Sequence, residues 1–241
     1  MAYEEHVAAR HAWDCKPVLR TVYDHLYRHV VSELAPGSIL EVGGGASRLT
    51  EYRSHAIISD LMPSPFVQLA ADAQQLPFAA DSFDNIVLFD VLHHIPVPRR
   101  FLAEAERVLR PEGRLIMMEP AITAGSYLFY RFLHPEPFDL SVDPLAEAAL
   151  SSDEPYDANQ AIPTLLATRD RSRLGQAFPQ FRLTKSEWLS LFAYPMSGGL
   201  RPWSLLSASA ARRLLSMEDR VPEWLRRRLA FRMMLVLQRQ A

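Results

Sequence analysis

Three consecutive glycines, Gly43, Gly44 and Gly45, stand just beyond a glutamate, Glu41, at the end of an apolar run. Glycine permits backbone conformations and close approaches that other residues do not, so such a run marks a place where main chain meets a ligand. The spacing narrows the choice of ligand. A dinucleotide fingerprint needs a third glycine where Arg48 stands, and a P-loop needs a lysine after the glycines, which is absent. The carboxylate of Glu41 would also oppose a pyrophosphate. The loop suits a neutral or cationic nucleoside instead.

Further acids follow at the ends of successive apolar runs. Asp60 closes "HAIISD", where a carboxylate accepts both hydroxyls of a ribose, and Asp72 follows "FVQLAA", within reach of an adenine amino group. Leu61 and Ala73 flank these acids, and Phe89 and Asp90 close the next run, so all four join the expected cofactor set. S-adenosylmethionine has the matching chemistry: a sulfonium, an ammonium, a ribose and an adenine, without phosphate. His93 and His94 come next, where a transferred group would point. An unperturbed imidazole titrates near about 6.5 and can take a proton from an acceptor. Neighbouring histidines on a helix diverge, so no metal chelate is expected.

The elements that position these residues alternate. Val18, Val22, Leu26 and Val30 recur every four residues and predict an amphipathic helix. Strands are expected at "SILEV", "HAIISDLM", "FVQLAAD", "SFDNIVLFDVL" and "RLIMMEP", with helices at 46–54 and 98–110, the latter closed by Pro111 and Gly113. This alternation predicts an α/β fold: a Rossmann-like, doubly wound, mostly parallel seven-stranded sheet with helices on both faces. Its last two strands fall near Phe181–Trp188 and at "FRMMLVLQ". Ligands of such sheets lie beyond the carboxyl ends of the strands.

The segment 38–119 resembles class I S-adenosylmethionine-dependent methyltransferases of the small-molecule, type 11-like kind. The family's acidic residue and glycine loop stand as "EVGGGAS", its D-A-x-x-L-P-F stretch as "DAQQLPF", its fourth strand as "FDNIVLFDVLHHI" and its V-L-R-P-G-G turn as "VLRPEGRL". Two features depart from it. Ser47 replaces the loop's third glycine, where a hydroxyl can serve a helix start. The short "LMPSPF" leaves no room for the usual second helix. The resemblance implies methyl transfer to a small acceptor. The alternative is a protein that keeps the fold and cofactor without methylating, as a binding scaffold or a cyclase-like enzyme.

Four regions follow: an N-terminal helical lid over 1–36, a cofactor-binding core over 37–120, a substrate cap inserted after the fifth strand over 121–200, and C-terminal helices with the last strand over 201–241. His6 and Trp13 in the lid, and His134, Glu136 and Asp139 in the cap, are candidates to line an acceptor site. Gly198 and Gly199 predict a turn beneath it. The aromatic, Leu- and Met-rich cap predicts a hydrophobic or lipid-linked acceptor. Residues 1–200 carry a net charge of −8 and residues 201–241 one of +6. The basic tail is a candidate for peripheral contact with an anionic membrane, whereas the acidic body argues against nucleic acid. The single cysteine, Cys15, excludes an internal disulfide, and no signal-like or membrane-spanning run is present, so a cytoplasmic location is expected.

Overall fold

In the computed structural model, which describes residues 2–148 and 158–241, seven strands form one sheet. They are β1 (Ile39–Val42), β2 (Ile57–Asp60), β3 (Leu69–Ala70), β4 (Phe83–Phe89), β5 (Leu109–Pro120), β6 (Phe181–Leu189) and β7 (Arg232–Arg239), in the order β3-β2-β1-β4-β5-β7-β6. The first five are mutually parallel, and β7 runs antiparallel between β5 and β6. The carboxyl ends of β1, β2, β4 and β5 therefore share one edge with the amino end of β7, where Pro120 pairs with Arg232.

Apolar layers cover both faces. On one, α4 (Pro98–Val108) inserts Phe101, Leu102, Ala105 and Val108 against Ile86, Leu88, Leu115 and Met117. On the other, α2 (Pro17–Ser32) buries Val18, Val22, Leu26 and Val30 against Val87, Ile116 and Met234, and packs on α9 (Ala208–Glu218). The four-residue apolar spacing thus marks a helix face turned to the sheet, as the periodicity requires. α1 (Ala2–Cys15) precedes α2 and is separated from it by Lys16.

Several boundaries differ from the sequence expectation. The helix expected at 46–54 is a single turn, α3 (Leu49–Tyr52). α4 stops at Val108, and Leu109 already belongs to β5. Pro111 and Gly113 sit inside β5, at a register shift between the Phe83–Leu109 and Asn85–Arg114 pairs. They form an irregularity in the strand, which accommodates proline and glycine. β3 shrinks to two residues, and no helix forms between Asp60 and Leu69.

The region after β5 contains α5 (Tyr127–Phe132), α6 (Ile162–Ala167), α7 (Arg171–Ala177) and α8 (Ala193–Ser197). Residues 149–157 of the expected cap lie outside the described residues. α10 (Glu223–Leu229) leads into β7. Among the described residues, no helix is long and apolar enough to cross a membrane.

Candidate active site

The turn after β1 is held open by neighbouring strands. Gly43 adopts φ +74°, and a Cβ there would lie 2.5 Å from both methyls of Val91. Asp60, at the end of β2, accepts from Gly45 N at 2.8 Å and from Met62 N at 2.9 Å. One carboxylate thus fixes the glycine turn and its own loop together. Ser47 Oγ donates to Glu41 and accepts from Leu49 N at 2.9 Å, so the hydroxyl serves the start of α3. His6 of α1 lies directly over Gly45, where a Cβ would fall 2.0 Å from the imidazole.

A cavity of about 450 Å³ opens above this turn. Glu41, Gly43, Gly44, Gly45, Asp60, Leu61, Asp72, Ala73, Phe89 and Asp90 all line it, as do His6, Trp13 and His94. Glu41 is buried, and burial raises its carboxyl to about 7 against the opposing Ser47 hydrogen bond and Arg10. Its Oε1 is buried without a hydrogen-bond partner. An unmatched carboxylate oxygen in an apolar surround fits a cationic ligand group better than an anionic one. Asp72 is exposed at the rim, with its carboxylate accepting from Gln74 N at 2.8 Å.

A second cavity, of about 550 Å³, shares Tyr23, Asp90, His94 and Leu200 with the first. Its walls are largely apolar, with Phe129, Leu133, Pro195, Met196, Trp203 and Leu205. His134 and Glu136 line it, and so does the Gly198–Gly199 turn, where both glycines have positive φ. Its polar end carries Arg232, only 2% exposed, which pairs with Asp90 and lies 5.2 Å over the Tyr194 ring. Asp90 itself has φ +60°. Lys16 closes the turn from outside, donating to Gly199 O, Arg201 O and Trp203 O at 2.6–2.8 Å.

The two histidines occupy one 3₁₀ turn, Leu92–His94, and have opposite electrostatics. His93 is buried, with Nδ1 2.6 Å from Glu119 and Nε2 3.5 Å from Glu136. Those carboxylates overcome desolvation and raise its imidazole to about 9. Glu119, at the end of β5, also accepts from Val91 N at 3.0 Å and Leu92 N at 2.8 Å. His94 is held down to about 4 by desolvation and by the charge of His93, and its buried Nδ1 has no hydrogen-bond partner. The raised value favours the imidazolium form of His93, with an N–H on each nitrogen facing a carboxylate, and the lowered value favours the neutral form of His94, which faces both cavities.

Contrary to the expected divergence, the two rings lie side by side with centroids 4.2 Å apart. With Glu136 they form a group whose ligand atoms all fall within 4.8 Å, a spacing open to a metal ion. His6 and Trp13, expected at the acceptor, line the cavity above the glycine turn. Asp139 is outside the linings of both cavities, and its carboxylate caps a local turn by accepting from Ser141 N and Oγ at 2.7 Å. Glu119, Arg232 and Lys16 were not anticipated. Glu119 carries the same signal as Asp60, an acid ending an apolar strand.

Residues 40–117 match the family described as "Methyltransferase domain". A phthiotriol/phenolphthiotriol dimycocerosates methyltransferase of Mycobacterium leprae is 33% identical over 136 residues, covering 47% of this chain and 50% of the relative. A ubiquinone/menaquinone biosynthesis C-methyltransferase of Rickettsia felis is 30% identical over 107 residues, covering 43% and 41%. The chain thus spans about half the length, or less, of these curated relatives. A crystal structure of an S-adenosylmethionine-dependent methyltransferase from Thermotoga maritima covers 99% of both chains with a TM-score of 0.60 at 18% identity, a likeness of fold. The matched residues 40–117 hold the glycine turn and the strand-end acids Glu41, Asp60, Asp72 and Asp90, so this part of the chain is similar to a methyltransferase domain.

Proposed function

We propose that the protein methylates a small, largely apolar acceptor, of the lipid-linked or quinone-like kind, using S-adenosylmethionine. The observation that carries this reading is the pair of cavities meeting at Asp90 and His94. One has the unmatched Glu41 oxygen and the Asp60-braced glycine turn, which fit an ammonium and a ribose. The other is apolar with one polar end, which suits a greasy molecule bearing a hydroxyl or an activated carbon. A sealed wall beside Phe89–His94 would instead favour a protein that binds the cofactor without transfer. The relatives named for phthiotriol/phenolphthiotriol dimycocerosates methylation and for ubiquinone/menaquinone biosynthesis support this acceptor class.

Within that reading, Asp60 and Glu41 hold the cofactor, and Asp72 at the rim meets its adenine end. When bound, the cofactor supplies an electrophilic methyl group on sulfur. The chain's own task is then to position the acceptor and receive any proton it loses. His93 is committed to two carboxylates and acts by fixing the turn. His94 offers a neutral ring nitrogen to an acceptor hydroxyl. Its low proton affinity makes it a hydrogen-bond acceptor that orients the nucleophile more than a strong base.

Calorimetric titration with S-adenosylmethionine tests the first half: binding that Asp60→Ala weakens at least about tenfold, the loss of a charge-assisted contact pair, is expected. Unchanged affinity in that variant would refute the assignment. Incubation of lipid extracts with isotopically labelled cofactor tests the second. Product mass should rise by one methylene, and a product of unchanged mass would instead indicate cyclisation.

A further inference from the structure

α5 ends at the acceptor-side cavity, and its outward side chains are poorly suited to water. Phe132 is 73%, Leu128 65% and Leu133 60% exposed, and the first two stand four residues apart on one helix face. Two backbone contacts extend this surface. Arg201 donates to Leu133 O at 2.7 Å, which joins the loop carrying Leu200, Trp203 and Leu205, the last 72% exposed. Gly125 N donates to Arg228 O at 2.8 Å, which joins α10, where Trp224 is 60% exposed beside the Arg228 guanidinium. Leu133, Leu200, Arg201, Trp203 and Leu205 also line the cavity, so the surface continues into its mouth. Single exposed apolar residues are ordinary, but a connected group of this size marks a contact surface.

Its charge indicates the partner. Residues 121–135 and 188–217 contain Arg131, Arg201, Arg212 and Arg213 and no aspartate or glutamate. In α10 the single acid, Glu223, is paired with Arg227 at 2.7 Å. Exposed indole, phenyl and leucyl groups with Arg131, Arg201 and Arg228 among them form the composition that settles at a negatively charged bilayer surface. We propose that this face docks on an anionic lipid surface, from which the acceptor passes directly into the cavity. The proposal rests on the reading of that cavity as the acceptor site. It places the membrane contact on α5, the 200–205 loop and α10, rather than on the basic tail as a whole.

Sedimentation of the full chain with vesicles of phosphatidylcholine alone, and of phosphatidylcholine mixed with phosphatidylglycerol, tests this. Binding to the mixed vesicles only, weakened by salt, is expected. The variant combining Leu128→Ser, Phe132→Ser and Trp224→Ser, none of which lines either cavity, should lower that partition at least about tenfold. Its affinity for S-adenosylmethionine should match the unaltered chain, which reports that it is folded. Absence of sedimentation, equal binding to both vesicles or an unaffected triple variant would overturn the proposal. So would self-association abolished by the triple variant without vesicle binding, since the face would then join two copies. Failure of the methyltransferase reading shows separately, as vesicle binding intact without any binding of the cofactor.

Discussion

Replacing Glu119 by Gln should cost the protein several kcal/mol of stability, about 3–5. The carboxylate is fully buried and accepts from Val91 N, Leu92 N and His93 Nδ1. An amide oxygen can still serve the two backbone donors. The charge that holds the His93 proton disappears, however, and removing one partner of a buried pair costs about 3–5 kcal/mol. The proton gives an independent figure. His93 rises from 6.5 to about 9 on folding, which at 1.36 kcal/mol per tenfold change is about 3 kcal/mol. Because the folded value is the higher one, this stabilisation is complete below about pH 6.5 and is lost as pH rises through about 9. Glu136 lies farther from His93, at 3.5 Å, and its side chain is 34% exposed, so it substitutes only weakly. In a chain of this length, 3 kcal/mol moves the melting temperature by about 6–12 °C. Thermal melts of both proteins between pH 5.5 and 9.5 should therefore show the variant lower at pH 6, with the two curves converging toward pH 9.5. Melting within about 2 °C at pH 6, with parallel pH dependence, would show that the ion pair does not form.

Three further outcomes follow from the cofactor side. If Glu41, at about 7 in the free protein, faces the ligand's ammonium, binding at pH 6.5 should release about half a proton or more, because a cation favours the ionised carboxylate. Calorimetry in buffers of different ionisation enthalpy reads this directly, and observed heats that do not vary with the buffer would remove Glu41 from the contact. Gly43→Ala must force a methyl against Val91 at φ +74°, so cofactor affinity should fall at least about tenfold together with stability. Gly175→Ala in α7, with nothing within 4 Å of the new methyl, should be neutral or stabilising by about 0.5–1 kcal/mol and serves as its control. Wild-type binding and melting in Gly43→Ala would show that the turn is not constrained. Lys16→Met removes the donor to three carbonyls of the 199–203 loop, so limited proteolysis should accelerate there with cofactor affinity within about twofold. An unchanged cleavage rate would mean that the loop is fixed by other contacts.

How far the sequence discloses such a site depends on the range of the interactions that build it. β1, β2 and β4 are short apolar runs ending in acids or glycines. A parallel sheet delivers those ends to one edge, so Glu41, Gly43, Asp60 and Asp90 could be gathered from spacing alone. At the other extreme stands "RPEG", which has the composition of a helix stop. Its residues fall within β5 without a partner in β4, because the register passes from Phe83–Leu109 directly to Asn85–Arg114 and Glu112 turns at φ +66°. The histidine pair shows the same limit in chemical form. In sequence His93 and His94 are equivalent candidates, and nothing adjacent distinguishes them. Burial lowers both; Glu119 from β5 and Glu136 from the segment after α5 outweigh it at His93 and raise it to about 9, whereas burial and the charge of His93 leave His94 at about 4. Arg232 likewise reaches Asp90 only because β7 enters the sheet in reverse and brings its first residue to the ligand edge. Identity of a binding edge is thus a property of the pattern, whereas the protonation of a group on that edge is a property of partners distant in the chain. Glu119 carries in the sequence the same mark as Asp60, an acid closing an apolar strand. The strand-end position places a carboxylate beside the turns that follow neighbouring strands, and a histidine in such a turn is the donor within reach.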